Sequence, residues 1–322
     1  MKIEGKTFLV TGGAGFIGSY LVENLLKYDV KKVIIFDNFV RGKISNLESA
    51  IKDPRVKIND TGNDITQYDI LEDSLRNVDG VFHFAALWLM QCHMFPETAF
   101  KVNVEGTFNI VRACIKNKVK KLVYSSSASV YGDAIKNPMD ELHPFLNKNF
   151  YGATKISSEA IITAYHHRYE LPFLGLRYMN VYGPRQDYKG AYIAVIMKML
   201  DAIDKKKNLE IFGDGSESFD FIHVIDCARA NIFAMQSKYN GEYYNIGTGI
   251  QTSLKQIAEK LLKIKKSNLK IEYKKRISNT FVKNRIGSIT KAKKELDFKS
   301  EILLEEGLKS LIKWRDLDKK SQ

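Results

Sequence analysis

Short apolar runs alternate with segments of helical periodicity through the first half of the chain. The apolar runs of strand length lie at 7–11, 33–36, 80–84, 121–125 and 171–177. Apolar residues recur at helical spacing over 17–26 and 102–114, and another helix is expected to begin near Tyr151. Strands that alternate with helices form a parallel sheet with right-handed crossovers. The pattern therefore predicts an α/β protein with a doubly wound parallel sheet.

The regular alternation ends near Arg177, and the rest of the chain has a different pattern. Glycine turns become frequent there, at Gly183, Gly190, Gly213 and Gly215. We expect a first domain over 1–178 and a smaller α/β lobe over 179–322. The apolar run at 220–224 is expected to return to the sheet of the first domain.

Composition excludes several classes of protein. Of the 322 residues, 44% are hydrophobic and 27% are charged, which is ordinary for globular proteins and unlike disordered or collagen chains. No apolar run approaches the roughly 20 residues that cross a bilayer, and no secretory signal region follows Met1. Three cysteines without metal-ligand spacing are typical of a reduced compartment. We expect a cytoplasmic protein with no membrane segment and no metal.

The net charge of +13 is concentrated near the C-terminus. Residues 251–322 contain 20 Lys and Arg against 9 Asp and Glu, whereas residues 1–250 contain 30 against 28. Aromatic residues do not alternate with these lysines, as they would in a surface that stacks nucleic-acid bases. The excess therefore favours a solvated lysine-rich surface over a polyanion site, and no nucleic-acid partner is expected.

A glycine-rich turn lies where the first strand gives way to the first helix. Gly12 allows a tight turn, Gly15 lets the backbone approach a pyrophosphate, and Gly18 permits close packing of helix on strand. The pyrophosphate would meet the free N–H groups and the dipole at the helix N-terminus. Asp37 ends the next strand, 19 residues after Gly18, as a dinucleotide fingerprint requires. The turn therefore predicts a Rossmann-type domain with a bound dinucleotide.

The residues after the second and third strands bear on which dinucleotide binds. Asp37 would accept hydrogen bonds from ribose hydroxyls and would repel a 2′-phosphate, which favours NAD over NADP. Arg41 and Lys43 leave the alternative open, since they could bind a 2′-phosphate or lie in a solvated loop. Asp64, followed by Ile65, could bond the adenine amine or could be a surface aspartate.

Candidate chemistry lies further along the chain. Ser127 belongs to a serine-rich segment that follows a strand, and Tyr151 and Lys155 are four residues apart. On a helix, residues at this spacing share one face. An ammonium group beside a phenol stabilises the phenolate, which is a general base. The three residues therefore predict proton transfer close to the dinucleotide.

Together these motifs resemble the extended short-chain dehydrogenase/reductase superfamily and its NAD-dependent nucleotide-sugar epimerase/dehydratase branch. In chain order they are the glycine turn, Asp37-Asn38, His83-Phe84-Ala85-Ala86, Ser127, Tyr151 with Lys155, Arg177-Tyr178-Met179-Asn180, Gly213-Asp214-Gly215 and Tyr244-Asn245-Ile246-Gly247. The resemblance implies a Rossmann domain with bound NAD, a C-terminal lobe that binds a nucleoside-diphosphate sugar, and a homodimer.

The resemblance also implies roles for individual residues. The catalytic residues would be Ser127, Tyr151 and Lys155. NAD would contact Gly12, Gly15, Phe16, Ile17, Gly18, Asp37, Asn38, Asp64, Ile65, Phe84, Ala85, Ala86, Asn103, Tyr151 and Lys155. The nucleotide sugar would contact Ser127, Asn180, Tyr192, Val195, Phe212 and Arg285.

The segment after the fifth strand bears on the reaction. The 4,6-dehydratases of the family that this chain resembles have Thr-Asp-Glu or Thr-Ser-Glu at the positions where this chain has Ser127-Ala128-Ser129. Ala128 and Ser129 offer no carboxyl group to protonate a leaving hydroxyl, so the segment favours a 4-epimerase. The segment 190–196 resembles the substrate loop of UDP-sugar 4-epimerases, which implies a UDP-linked sugar. A dehydratase with displaced acids or a net 4-oxidoreductase is the alternative. A non-catalytic NAD- or RNA-binding relative is a remote one, because such a protein has no need of Tyr151 and Lys155.

Two departures from the family pattern concern the substrate. Phe219 stands where relatives have an arginine that pairs with the substrate diphosphate, and Arg285 is the best replacement, ahead of Arg185 and Arg276. The loop 87–93 contains large apolar residues, which indicate either a pocket unlike that for plain glucose or packing between the lobes.

Overall fold

The structure, a computed structural model, describes residues 1–59, 63–188, 194–275 and 282–320. The strands are β1 (Thr7–Thr11), β2 (Lys32–Phe36), β3 (Val56–Ile58), β4 (Gly80–His83), β5 (Lys121–Ser127), β6 (Phe173–Tyr178), β7 (Asn180–Tyr182), β8 (Leu209–Phe212), β9 (Ser218–Phe219), β10 (Phe221–His223), β11 (Glu242–Ile246), β12 (Thr252–Ser253), β13 (Ile271–Lys274) and β14 (Asn284–Arg285).

The helices surround these strands. They are α1 (Phe16–Leu25), α2 (Tyr68–Ser74), α3 (Leu89–Met94), α4 (Pro96–Ala99), α5 (Gly106–Lys116), α6 (Phe150–Tyr169), α7 (Val195–Asp204), α8 (Val224–Gln236), α9 (Leu254–Ile264), α10 (Thr290–Leu296) and α11 (Leu304–Lys320). Short 3₁₀ turns occupy Ile44–Leu47, Ala50–Lys52 and Ala128–Val130, and a π-helical segment occupies Phe100–Glu105.

A parallel sheet of seven strands forms the centre of the molecule, in the order β11-β6-β5-β4-β1-β2-β3. All five apolar runs of the first half lie in this sheet, with bounds that shift by one or two residues. The predicted helix over 102–114 is divided between the π-helical segment and α5. The structure therefore confirms the predicted α/β fold with a doubly wound parallel sheet.

Alternate residues of β1 show how the sheet is covered. Phe8 and Val10 belong to a core that includes residues of α1 and α8, whereas Leu9 belongs to a core with residues of α2, α5 and α6. Both faces of the strand are covered by helices, so every residue of β1 is buried. This two-sided burial explains why the strands are continuous apolar runs.

The run at 220–224 does not return to this sheet, which corrects the expectation. Phe221–His223 pairs with β7 in a separate parallel sheet of two strands. The place beside β6 is occupied by β11, which arrives after α8 has packed on α1. β7 follows β6 directly and moves away from the central sheet, so β10 pairs with it there.

The C-terminal part has a third core. Residues of α7, α9 and α11 pack around β8, with Leu209, Ile211 and Leu261 among the buried side chains. Many lysines of this part lie on the outer sides of these helices, such as the exposed Lys309 on α11, which pairs with Glu305. Within the described ranges, every helix is too short or too polar for a transmembrane span.

Candidate active site

The glycine turn brings the end of β1 against the loop that follows β4. Gly12 has a φ of +68°, and a Cβ atom there would lie 2.8 Å from the backbone nitrogen of Ala85. A Cβ atom on Gly18 would collide with the carbonyl oxygen of Gly12. Only glycine fits at either position, because the backbone itself is the neighbour. The N-terminus of α1, with Gly15, Phe16 and Ile17, is the part of the turn that suits a pyrophosphate.

Asp37 lies at the end of β2, next to this turn. Its carboxylate is buried and accepts hydrogen bonds from the backbone nitrogens of Ala14 and Phe39, each at 2.9 Å. Burial raises its pKa, and the two backbone donors oppose that change. Each carboxylate oxygen retains a lone pair, so the group can still accept from ribose hydroxyls.

Two neighbouring candidates, Asn38 and Asp64, form a small polar group. The side-chain amide of Asn38 donates to Asp64 at 3.4 Å, and Asp64 also accepts from the backbone nitrogen and the hydroxyl of Thr66. Ile65 is buried, and its carbonyl oxygen accepts from Asn109. The structure therefore brings Asn38 and Asp64 together near Asp37, and their contact with an adenosine stays a prediction.

The loop after β4, with Phe84, Ala85 and Ala86, is held by a chain of buried polar groups. The backbone nitrogens of Phe84 and Ala85 both donate to the Thr11 hydroxyl at 3.2 Å. His83 bridges that hydroxyl to Thr107, with distances of 2.8 and 3.0 Å. Burial lowers the His83 pKa to about 3, so the imidazole is neutral and acts as a structural link.

Asn103 fixes the next part of this loop. Its oxygen accepts from the backbone nitrogen of Leu87 at 2.7 Å, and its nitrogen lies 3.0 Å from both the Leu87 carbonyl oxygen and the Thr154 hydroxyl. The π-helical turn around Asn103 places this amide between the loop and α6. Its side chain thus fixes the position of Leu87 relative to α6.

The three predicted catalytic residues meet at the C-terminal edge of the sheet. Ser127 ends β5, and Tyr151 lies in the first turn of α6, which begins where Asn149 accepts from the backbone nitrogen of Gly152. The Lys155 Nζ atom lies 5.8 Å from the centre of the Tyr151 ring and donates to the Ser125 carbonyl oxygen at 2.6 Å. The geometry therefore brings a hydroxyl, a phenol and an ammonium group together.

Burial dominates the electrostatics of this group. It raises the pKa of Tyr151 to about 12, while hydrogen bonding with Ser127 and the charges of Arg285 and Arg41 lower it. It also lowers the pKa of Lys155 to about 8. A positive charge added beside the phenol would favour the phenolate further. This is the effect that the oxidised nicotinamide of NAD would have.

A buried ion pair near the three predicted catalytic residues was not anticipated from the sequence. Glu159 lies one turn after Lys155 and binds the guanidinium group of Arg177 through both carboxylate oxygens, at 3.0 and 2.7 Å. Glu159 also accepts from the Ser126 hydroxyl at 2.5 Å. The spacing of four residues between Lys155 and Glu159 was a visible signal, since it places both on one face of α6.

The positions of the dehydratase acids contain no acid. Ala128 and Ser129 are buried in the 3₁₀ turn after β5. Glu159, a buried carboxylate on the same helix as Tyr151, is bound to Arg177 and Ser126. In the part of the chain that the structure describes, there is also no group of three or more His, Cys, Asp or Glu side chains suited to a metal.

Apart from Ser127, which ends β5, the candidate substrate residues lie in the C-terminal part of the chain. Asn180 begins β7 and Val195 begins α7, both half-buried, and Phe212 ends β8 with its side chain 46% exposed. Tyr192 and Arg276 lie outside the described residues. Contact of these side chains with a nucleotide sugar stays a prediction.

Among the candidates of the C-terminal part that the structure describes, Arg285 has a charge that acts on Tyr151. It pairs with Phe219 across β14 and β9, so it lies beside the position where relatives have arginine. Its Nε atom is buried and finds no hydrogen-bond partner among the described residues. Burial lowers its pKa to about 10. Arg185, the weaker candidate, is instead bound to α1 through Glu23 at 2.6 Å.

The family model of the NAD dependent epimerase/dehydratase family matches residues 8–247. The chain belongs to this family. That membership confirms the resemblance and the prediction of an enzyme with NAD as its cofactor. The structure suits NAD as well, because the turn at Gly12 and Gly18 leaves no room for a side chain and Asp37 lies at the end of the next strand.

Individual members of the NAD dependent epimerase/dehydratase family that resemble the chain differ in their reactions. A putative UDP-glucose 4-epimerase of Methanocaldococcus jannaschii is 36% identical over 95% of this chain and 97% of its own length. A UDP-N-acetyl-alpha-D-glucosaminuronate decarboxylase of Bacillus cytotoxicus is 33% identical over 96% of this chain and 97% of its own. Family membership alone therefore leaves the reaction open.

A solved structure of the same family is similar over almost the whole chain. It is a UDP-N-acetylglucosamine 4-epimerase from Methanobrevibacter ruminantium M1, in complex with UDP-N-acetylmuramic acid. The two share 34% identity, and the TM-score is 0.91 over 98% of this chain and 99% of the other. The similarity includes both the central sheet and the second lobe.

Proposed function

We propose that the protein is an NAD-dependent epimerase that inverts C4 of a nucleoside-diphosphate sugar through a 4-keto intermediate. The observation behind the proposal is the meeting of Ser127, Tyr151 and Lys155 with the acid-free pair Ala128 and Ser129 beside them. This arrangement can move a proton to and from one oxygen. It lacks, at the dehydratase positions, the acid that removal of water requires.

Each catalytic residue would have a separate task. Tyr151, as phenolate, takes the proton of the C4 hydroxyl and returns it to the same oxygen when the turned keto sugar regains hydride on its opposite face. Ser127 hydrogen-bonds the same oxygen and relays the proton. When bound, NAD supplies a reversible acceptor for the hydrogen on C4. Lys155 favours the phenolate through its charge and holds the nicotinamide ribose.

The substrate is proposed to be UDP-linked. Support comes from the relatives, since the 4-epimerases of M. jannaschii and M. ruminantium are both named for UDP-sugars. Arg285 would bind the diphosphate, with its buried Nε atom as one donor. The remaining contacts are assigned to Asn180, Tyr192, Val195 and Phe212.

Product analysis tests the proposed reaction. The purified protein, without added NAD, should convert UDP-glucose, UDP-N-acetylglucosamine or UDP-glucuronic acid into its C4 epimer, as followed by proton NMR. Inversion with no net change in the NADH absorbance supports the epimerase. Loss of carbon dioxide would identify a decarboxylase, and a 6-deoxy-4-keto product would identify a dehydratase. Either product in place of inversion would contradict the proposal.

The pH dependence of the rate should show the effect of the Lys155 charge on Tyr151. Because an ammonium group lowers the pKa of a nearby phenol, Lys155→Met should move the acid limb of the profile upward by about one unit or more. The wild-type rate should also fall as the pH passes the Lys155 pKa of about 8, and the variant should lack this alkaline limb.

A second buried lysine, which lies on the central sheet and not on α6, provides the control for that experiment. Lys121, at the other end of β5, has a pKa that burial lowers to about 8, and its ammonium group donates to the carbonyl oxygens of Ser237 and Tyr239. Lys121→Met should leave both limbs in place. Identical profiles for wild type and Lys155→Met would remove Lys155 from the proton-transfer step.

The homodimer and the cytoplasmic location stay predictions from the family resemblance. An aromatic surface on α5 and α6 supports the homodimer: Phe108 and Tyr165 are in edge contact, and Tyr165 contacts Tyr169. Phe108 is 38% exposed and Tyr169 is 51% exposed. A second copy of the chain would cover this apolar area.

A further inference from the structure

Three segments from different parts of the chain meet at the side chain of Arg41. Arg41 belongs to the loop after β2, Trp88 precedes α3, and Asp187 follows β7. The guanidinium carbon of Arg41 lies 4.9 Å from the centre of the Trp88 ring, and its Nη2 atom lies 3.5 Å from Asp187 Oδ2. We call this group the Arg41 clasp.

The loop that presents Arg41 is anchored to the cofactor turn. The backbone nitrogen of Lys43 and the side-chain amide of Asn46 both donate to the carbonyl oxygen of Ala14, the latter at 2.9 Å. A Cβ atom on Gly42 would lie 2.7 Å from the carboxylate of Asp37. The backbone around Arg41 is therefore held at the edge of the predicted ribose site, and the Arg41 side chain extends from there.

The other end of the clasp is tied through Asn103 to α6, the helix that contains Tyr151. Trp88 follows Leu87, whose backbone is held by Asn103. Burial raises the pKa of Tyr151, and the charge of Arg41 is one of the influences that lower it. The clasp thus extends from the predicted cofactor site toward Tyr151, with Asp187 joining it to the second lobe.

Each contact of the clasp is weak enough to open. The side chain of Arg41 is 36% exposed and that of Asp187 is 47% exposed. Exposed ion pairs and exposed cation–π contacts are individually small. Such a pair can therefore break and form repeatedly during a catalytic cycle.

We propose that Arg41 is a positioning residue that closes the cleft over bound NAD and substrate by joining the cofactor loop to Trp88 and Asp187. The inference rests on the proposed function, which places NAD and a nucleotide sugar in this cleft. A 4-keto sugar that must turn over and react again has to stay in the cleft between the two steps. A closed clasp keeps it there and slows the release of NAD.

This role also bears on the alternative that Arg41 binds a 2′-phosphate. The guanidinium group contacts Trp88 and Asp187, and a 2′-phosphate would have to compete with the Asp187 carboxylate for it. The contacts therefore favour the clasp and agree with NAD as the cofactor of the family.

The rate at which NAD leaves the purified holoenzyme tests the clasp without any need for turnover. Arg41→Gln removes both the ion pair with Asp187 and the guanidinium group stacked on Trp88. It should therefore release NAD about tenfold faster than wild type. Asp187→Asn removes the ion pair but keeps the cation stacked on Trp88, and it should give a smaller increase. Lys43→Gln, which removes a neighbouring exposed charge from the same loop, is the matched control and should release NAD at the wild-type rate.

A conservative variant separates the closure of the cleft from the electrostatic effect of Arg41 on Tyr151. Arg41→Lys keeps the charge but loses the planar group that stacks on Trp88, so it should release NAD faster while keeping the acid limb of the pH–rate profile. Arg41→Gln should move that limb to higher pH. Release from Arg41→Gln, Arg41→Lys and Asp187→Asn at the wild-type rate would overturn the clasp.

The two proposals can fail separately. If wild type inverts no sugar but the Arg41 variants lose NAD faster, the clasp stands and the epimerase assignment falls. If wild type epimerises and the variants hold NAD as wild type does, the clasp falls. Should Arg41→Gln fail to fold, Asp187→Asn and Arg41→Lys supply the same comparison from more conservative changes.

Discussion

Replacing Tyr151 with phenylalanine should lower turnover by about 10²–10⁴-fold, the usual loss when a general acid–base group is removed. The hydroxyl that hydrogen-bonds with Ser127 is the only part removed. The Lys155 ammonium group keeps its bond to the Ser125 carbonyl oxygen, and the aromatic ring remains in place. We therefore expect an unchanged melting temperature and unchanged NAD content, with steady-state rates of C4 inversion as the measurement.

Tyr169→Phe is the matched control for this change. Tyr169 ends the same helix and its side chain is 51% exposed, so the same chemical change there should leave the rate at the wild-type value. If Tyr151→Phe kept a rate within about twofold of wild type, Tyr151 would not be the acid–base group.

Replacing Arg285 with alanine should weaken the binding of UDP by about 30-fold or more. Removing one partner of a desolvated charge pair costs about 2–5 kcal/mol, and each 1.4 kcal/mol is about tenfold in affinity. Arg285 has a buried Nε atom with no partner within the described residues, and it lies beside Phe219, which has no donor. Calorimetric titration of UDP into both proteins measures the difference.

The same titration needs a control for the loss of positive charge from a basic lobe. Lys309 on α11 has a side chain that is 58% exposed and pairs with Glu305, so Lys309→Ala should bind UDP as wild type does. NAD content should be equal in all three proteins, because Arg285 is assigned to the substrate and not to the cofactor. Equal UDP affinities for wild type and Arg285→Ala would remove Arg285 from the substrate site.

Most of the central sheet could be predicted because its strands are covered on both faces. A strand such as β1, buried at all five residues, must be apolar throughout, and this pattern is visible within the strand itself. Which strand pairs with which is a different matter. The run at 220–224 and the strand Glu242–Ile246 are both short and mix apolar with polar residues, and only the packing of α8 on α1 places the latter beside β6.

The candidate site also has one part that the sequence predicts and another that only the structure shows. Tyr151 and Lys155 were predictable because four residues make one helical turn, and Asp37 because it ends a strand at a fixed distance from the glycine turn. The Arg41 clasp was not predictable. Arg41 and Lys43 look equivalent in the sequence, yet only the structure shows Arg41 against Trp88 and Asp187.

The sequence by itself determined the fold class, the cofactor and the chemical groups, because each depends on residues that are close together in the chain. A glycine turn, a strand end and one helical turn are local, and their spacing has a direct geometric meaning. The tertiary structure alone decided which residues lie against Glu159, Arg41 and Arg285, because these contacts join separate segments of the chain. The relative position of such segments depends on how all the helices pack on the sheet, and no short stretch of sequence records it.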